Sequence, residues 1–214
     1  TQTYLSMVGI PKEFIEKAQE RISDFKRLQK AGFINLQGQF FPSVHYPPIT
    51  MYPPIEQKVL FEGYKNPTGD LFDIYVHIPF CIRYCAFCHY PVKIGASSEE
   101  KDIYLRMLEK EMGIYMRTLG VKKLRARSIL IGGGTPTYLS LVQLEKFLAS
   151  FASYVDLSSC SQFSYDVDPT TLIDPDGPAR IKIMRAHGVD RLTIGIQSFD
   201  EGLLKVMNRA HNKD

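Results

Sequence analysis

Hydrophobic positions recur along this chain with a period that changes from segment to segment, and the changes mark its elements. Residues 11 to 31 open with Pro11, a favoured first helical residue, and carry Phe14, Ala18, Ile22, Phe25 and Leu28 at helical spacing among charged residues. The pattern predicts an amphipathic helix ending near Gly32, of the kind that ordinarily packs on a larger body. Over residues 33 to 56 the periodicity is lost. Pro42, Pro47, Pro48, Pro53 and Pro54, with Tyr-Pro-Pro-Ile at 46 to 49 and again at 52 to 55, exclude a helix or a central strand and predict an extended arm. Two such copies do not make a solenoid. A functional reading of the arm is a lid or docking strap carrying His45 and Tyr46.

From residue 71 strand and helix patterns alternate. Strands are predicted over 71–78, 127–131, 162–167 and 191–196, and helices over about 98–119, 141–154, 178–187 and 200–208. On the first of these helices, Ile103, Met107, Leu108 and Met112 share one side, and Ser98 followed by Glu99 and Glu100 marks its start. Consecutive strand-helix units of this kind indicate an α/β fold with a parallel sheet and right-handed crossovers, whose ligands gather at the carboxyl ends of the strands. The predicted organisation is an N-terminal helix plus Pro-rich arm over 1–70 and a parallel α/β core over 71–214.

Every unusual motif falls at such a strand end. Cys81, Cys85 and Cys88, three of the four cysteines, follow the first strand with spacing C-x3-C-x2-C. Clustered thiolates suit zinc, copper(I) or an iron-sulfur cluster. Structural zinc wants a fourth ligand, and His89, directly after Cys88, is hard to aim at the same ion. Three crowded cysteines cannot all pair as disulfides, and Cys160, far off, reads as an inert thiol. Three ligands on a cubane of four irons leave one iron open to a substrate. Gly132-Gly133-Gly134-Thr135-Pro136 ends the second strand and lets a flat ligand approach the backbone; it fits neither a P-loop nor a dinucleotide fingerprint. Asp166 and Asp168 alternate with Tyr165 and Val167, so both carboxylates project to one side of the third strand. Gln197 follows the apolar run of the fourth strand, and Arg209 lies one short helix later. His77 shares strand parity with Tyr75 and reads as a satisfied core histidine.

Composition narrows the class. The chain has 214 residues, 44% hydrophobic and a net charge of +3, enough for a core and too mild a charge to argue for nucleic acid. No apolar run reaches the length of a membrane span, and the first residues resemble no secretory signal, which favours a cytoplasmic setting.

In this order, the cysteine loop, the triple glycine, the acidic strand and the glutamine strand closely resemble the radical S-adenosylmethionine (SAM) superfamily. Tyr-Val-His-Ile-Pro-Phe-Cys, Gly-Gly-Gly-Thr-Pro-Thr-Tyr-Leu, Val-Asp-Pro and Gly-Val-Asp-Arg-Leu-Thr-Ile-Gly-Ile-Gln-Ser-Phe look like blocks of its oxygen-independent coproporphyrinogen III dehydrogenase branch, over about 75–212. The resemblance implies a partial (β/α)6 TIM-like barrel, here stopping after four strand-helix units. It implies that Cys81, Cys85 and Cys88 hold a 4Fe-4S cluster whose open iron chelates SAM. Tyr75 would lie beside SAM, Gly133, Gly134 and Thr135 against its methionine portion, Asp166 and Gln197 near its ribose, and Arg209 near its carboxylate. Reductive cleavage would give a 5'-deoxyadenosyl radical for the oxidative decarboxylation of porphyrinogen propionates, with a flavodoxin or ferredoxin as electron donor.

Two positions depart from the pattern. Asp166 stands where glutamate is usual, and Cys88-His89-Tyr90 replaces the Cys-x-Cys of the porphyrinogen-oxidising members. Related readings are a methylase or cyclopropanase that binds two SAM molecules, and a haem chaperone on the same scaffold, against which the long N-terminal arm argues mildly.

Overall fold

In the computed structural model, which describes residues 11–32, 53–56, 59, 62, 63 and 69–212, the four predicted strands form one parallel sheet. Strands and helices are numbered in chain order. The sheet runs β1 (Phe72–Ile78), β4 (Leu124–Gly133), β6 (Gln162–Val167), β7 (Arg191–Ile194), every neighbouring pair parallel. Short β5 (Val155–Asp156) pairs with the start of β4. A separate two-stranded ladder, β2 (Phe80–Cys81) with β3 (Lys93–Ile94), closes the base of the cysteine loop. The chain divides into two compact units, Thr1–Leu60 and Phe61–Asp214. The first contains helix α1 (Lys12–Lys30), in which no residue is buried. The Pro-rich arm, with His45 and Tyr46, lies almost wholly outside the described residues.

Helices α2 (Ser98–Leu119), α3 (Leu141–Tyr154) and α5 (Gly177–Ala186) supply the crossovers, with short α4 (Pro169–Ile173) and α6 (Glu201–Val206) at strand exits. The caps explain where they begin. Ser97 and Glu100 form a reciprocal capping box on α2, and Ser140 and Gln143 form another on α3. Asp168 and Asp200 accept from Thr170 N and Leu203 N at the starts of α4 and α6. The cap of α2 is thus Ser97 rather than Ser98. Its inner face also differs from the expected stripe: Lys101, Met116 and Leu119 are buried and Tyr104, Leu105, Leu108 and Met112 pack on the core, while Ile103 and Met107 are exposed. Apolar residues lie on more than one face of α2, and the stripe that packs is the one carrying Tyr104, Leu105, Leu108 and Met112.

The sheet's two faces have different roles. Ile78, Ile129, Ile131 and Tyr165 point into the helix-covered core with Leu144, Leu148 and Met184, all at most 1% exposed. The opposite face carries Asp73, Tyr75, Ser128, Leu130, Ser164 and Asp166 along a polar hollow. Period-two alternation therefore separates stability from chemistry on the same strands. Ile131→Ala, which removes packing from the centre of the core, is expected to cost about 2–5 kcal/mol in denaturant unfolding. A loss below about 1 kcal/mol would contradict this core assignment.

Candidate functional site

The cysteine loop is built by main-chain bonds at its base and its turn. Lys93 N donates to Pro79 O at 2.7 Å, closing the loop, and Cys88 N donates to Cys85 O at 3.0 Å, folding the last two cysteines back on each other. The Tyr84 hydroxyl donates to Cys88 O at 2.6 Å. All three thiols are free, partly buried, and line one open cavity of about 240 Å³ at the carboxyl ends of the strands. Gly133, Gly134, Thr135, Asp166, Gln197 and Arg209 line the same cavity. Tyr75 does not: it sits in the neighbouring polar hollow, which it shares with Asp166.

Each of the three glycines lies against a different neighbour. A Cβ on Gly132 would lie 2.5 Å from Asp166 Oδ2, one on Gly133 2.7 Å from the His77 ring, and one on Gly134 2.8 Å from Phe80 O. Gly133 also has φ +111°, which side chains with a Cβ rarely adopt. Gly134 N donates to Ile78 O at 2.8 Å and Thr135 N to Phe80 O at 2.7 Å, so the loop after β4 is stitched to the turn that presents Cys81. The sequence suggests that these glycines open the backbone to a ligand, with a tight turn as the alternative for one or two of them; in the structure they also admit the carboxylate, the imidazole and the cysteine turn. His77 completes this layer. Its Nε2 donates to Pro91 O at 3.0 Å, leaving Nδ1 to accept from the Tyr75 hydroxyl at 2.9 Å, which ties the far end of the cysteine loop to β1.

Polar groups reach two of the three sulfurs. Burial pushes the Cys81 thiol up, and Thr135 Oγ1, donating to Cys81 Sγ at 3.4 Å, opposes that shift. Arg209 Nη1 donates to Cys85 Sγ at 3.2 Å. Its Nη2 donates to Asp168 Oδ2 at 2.7 Å and to Gly195 O at 2.6 Å, while Nε is buried without a protein partner. Asp168 therefore caps α4 and also neutralises Arg209, a pairing that sequence separation conceals. Gln197 sits in the left-handed region at φ 67°. Strand β7 ends at Ile194, two residues earlier than the apolar run suggests, because Ile196 N donates back to Ile194 O at 3.0 Å and Ser198 N to Ile196 O at 2.9 Å, tight turns that present Gln197.

Asp166 has its carboxyl raised by burial, with a hydrogen bond from Thr193 and the charge of Arg191 acting the other way. A carboxyl raised in the folded state makes stability fall as pH rises from its unfolded pKa through its folded one. Asp166→Asn is therefore expected to flatten that part of the stability-versus-pH curve of the cluster-free protein, measured by denaturant unfolding between about pH 4 and 7. An unchanged curve would contradict the assignment.

The donor set suits a cluster rather than one ion. Among the described residues no three His, Cys, Asp or Glu side chains converge as a single metal ion would need. A cubane does not need that convergence, since each thiolate meets a different iron. Three thiols on one cavity wall, two of them receiving hydrogen bonds, fit such a group.

Comparison with known proteins agrees with this geometry. Residues 75–214 match the family model described as the radical SAM superfamily. The haem chaperone HemW of Lactococcus lactis is 34% identical over 139 residues, covering 65% of this chain and 34% of the relative. The oxygen-independent coproporphyrinogen III oxidase of Escherichia coli is 30% identical over 159 residues, covering 74% of this chain and 33% of the relative. The solved structure of the Escherichia coli oxidase HemN, described as a radical SAM enzyme, superposes with TM-score 0.62 at 29% identity, covering 73% of this chain and 35% of that one. The chain thus spans about a third of the length of these relatives. The parallel α/β core matches the fold class expected from the motifs.

Proposed function

The chain belongs to the radical SAM superfamily, and on that footing we propose that it holds a 4Fe-4S cluster through Cys81, Cys85 and Cys88 and cleaves SAM reductively. The observation that carries this reading is the single cavity walled by the three thiols, the Gly133-Gly134-Thr135 loop, Asp166, Gln197 and Arg209. When bound, the cluster supplies an electron to the sulfonium of SAM, yielding methionine and a 5'-deoxyadenosyl radical. The chain's own residues orient and shield. Gly133 and Gly134 line the cavity beside the cysteine turn, where the methionine portion would lie. Asp166 and Gln197 face the cavity as hydrogen-bonding groups for a ribose, and Arg209, which lines the same cavity, would set its positive charge near a carboxylate. Tyr75 acts one step removed, through His77.

The reaction nearest to the resemblance is oxidative decarboxylation of a porphyrinogen, since a coproporphyrinogen III oxidase is among the relatives. A flavodoxin or ferredoxin would supply the electron. A second reading, a haem chaperone, is favoured by the HemW relatives and by one local feature. Where the porphyrinogen enzymes place a further cysteine, Tyr90 lines the cavity and stacks on His89 with ring centroids 4.8 Å apart. That surface suits a flat aromatic macrocycle. Among the described residues no helix is long and apolar enough to cross a membrane.

Anaerobic reconstitution followed by dithionite and SAM is expected to release 5'-deoxyadenosine and methionine. An intact cluster that releases neither, in a protein that binds haem tightly, would replace the enzyme reading with the chaperone. Transfer of a labelled methyl group from SAM to product would instead select a two-SAM methylase.

Gln197 gives a separate test. Its left-handed backbone costs about 1–2 kcal/mol relative to an unstrained residue, so Gln197→Gly should raise thermal stability while weakening SAM binding roughly tenfold, as loss of one hydrogen bond to the ligand does. Tighter or unchanged binding would remove Gln197 from the site.

A further inference from the structure

The segment after α6 turns back over the carboxyl ends of the strands and meets the cysteine loop, more than 120 residues away in sequence. Ala86 N donates to Met207 O at 3.1 Å, and Asn208 Nδ2 donates to Tyr84 O at 2.7 Å. Arg83 Nη1 donates to Arg209 O at 3.4 Å, and Arg209 Nη1 donates to Cys85 Sγ at 3.2 Å. Behind these contacts the same segment is anchored to the sheet. Arg209 Nη2 holds Asp168 Oδ2 and Gly195 O, and His211 Nε2 donates to Ile196 O at 2.9 Å. Asn208 takes a left-handed backbone, φ 56°, which turns the chain so that its side chain and that of Arg209 face the loop together. Asparagine tolerates this conformation better than most residues with a Cβ.

We propose that Met207-Asn208-Arg209 is a clasp that holds the cysteine loop in its cluster-binding shape, and that Arg209 is a positioning residue whose hydrogen bond to the Cys85 sulfur raises the reduction potential of the cluster. The inference rests on the cluster reading given above. Hydrogen bonds to the cysteine sulfurs of a cluster, and positive charge beside them, stabilise the reduced and more negative form. The Arg209 side chain is only 9% exposed, so solvent screens it weakly, and Asp168 fixes its orientation. Without the clasp, the residues between Cys81 and Cys88 would be held by the short β2–β3 ladder and by contacts within the loop.

Two variants separate holding from tuning. Arg209→Lys keeps a cation beside Asp168, but its single ammonium cannot serve Asp168, Gly195 O and Cys85 Sγ together. It is expected to move the cluster's midpoint potential negative. The ratio of reduced to oxidised cluster at fixed poise should fall about tenfold, about 59 mV for a one-electron couple. Asn208→Gly keeps the left-handed turn and the fold but removes the donor to Tyr84 O. It is expected to lose cluster iron to a chelator roughly fivefold faster, as the loss of one hydrogen bond allows. Both measurements use anaerobically reconstituted intact protein, with circular dichroism confirming the fold. Variants that match the wild type in potential and in iron-release rate would overturn the clasp alone. A wild-type protein that binds no cluster would overturn the clasp together with the reading beneath it.

Discussion

Alanine at any one of Cys81, Cys85 or Cys88 is expected to abolish the cluster's visible absorbance and its paramagnetic signal when reduced, and to lower SAM cleavage by more than about 100-fold, the upper range for removing mere support of a ligand. The three thiols lie on one cavity wall, so no other described cysteine can replace them; Cys160 is placed elsewhere, donating to Gln162 O at 3.4 Å. The fold should survive. Each of the three is only partly buried, and none belongs to the buried core. The cluster-free variants should therefore unfold within about 1 kcal/mol of the cluster-free wild type. A single-cysteine variant that kept both spectroscopic signatures would refute the ligand assignment.

The second large effect is expected at Gly134. A Cβ there would sit 2.8 Å from Phe80 O, 2.9 Å from the Pro79 carbonyl carbon and 3.0 Å from Cys81 Sγ. Two of these neighbours are backbone, so Gly134→Ala cannot be relieved by a rotamer change. It must push the β4 exit away from the cysteine turn, straining the bonds from Gly134 N to Ile78 O and from Thr135 N to Phe80 O. The expected cost is about 1–3 kcal/mol of stability, with a larger functional loss because Cys81 is displaced. Cluster content after reconstitution should fall by more than half, and SAM affinity by roughly tenfold or more, as a misplaced ligand shell allows. Gly132→Ala offers a contrast, because its nearest obstacle is the Asp166 carboxylate, a side-chain end that can rotate aside. A Gly134→Ala protein with wild-type cluster content would show that the glycine loop and the cysteine turn are not coupled.

Much of this arrangement was legible from residue patterns, for reasons that the structure makes clear. Alternation in β6 and the helical period of α3 matched their predicted bounds, because both elements bury one face against the same core and both have clear starts, at Ser140 for the helix. Local chemistry was less legible where it depended on distant partners. Nothing near Asp168 in sequence announces that Arg209 will pair with it, and only the return of the chain after α6 brings them within 2.7 Å. The same holds for Thr193 beside Asp166 and for Pro91 beside His77. Ile103 and Met107 on α2 fit the apolar stripe but are exposed, because apolar residues occupy more than one of its faces and burial against the sheet decides between them. Gln197 was identifiable by its place after an apolar run, but its left-handed backbone was not.

The central claim is that Cys81, Cys85 and Cys88 hold a cluster with one iron open to SAM, and electron paramagnetic resonance of the reduced, reconstituted protein with and without SAM tests it most directly. The account predicts about four irons per chain and a spectrum that changes when SAM is added, because SAM ligates the open iron. A reduced spectrum that SAM leaves unchanged, or a protein saturated by a single zinc ion, would contradict it.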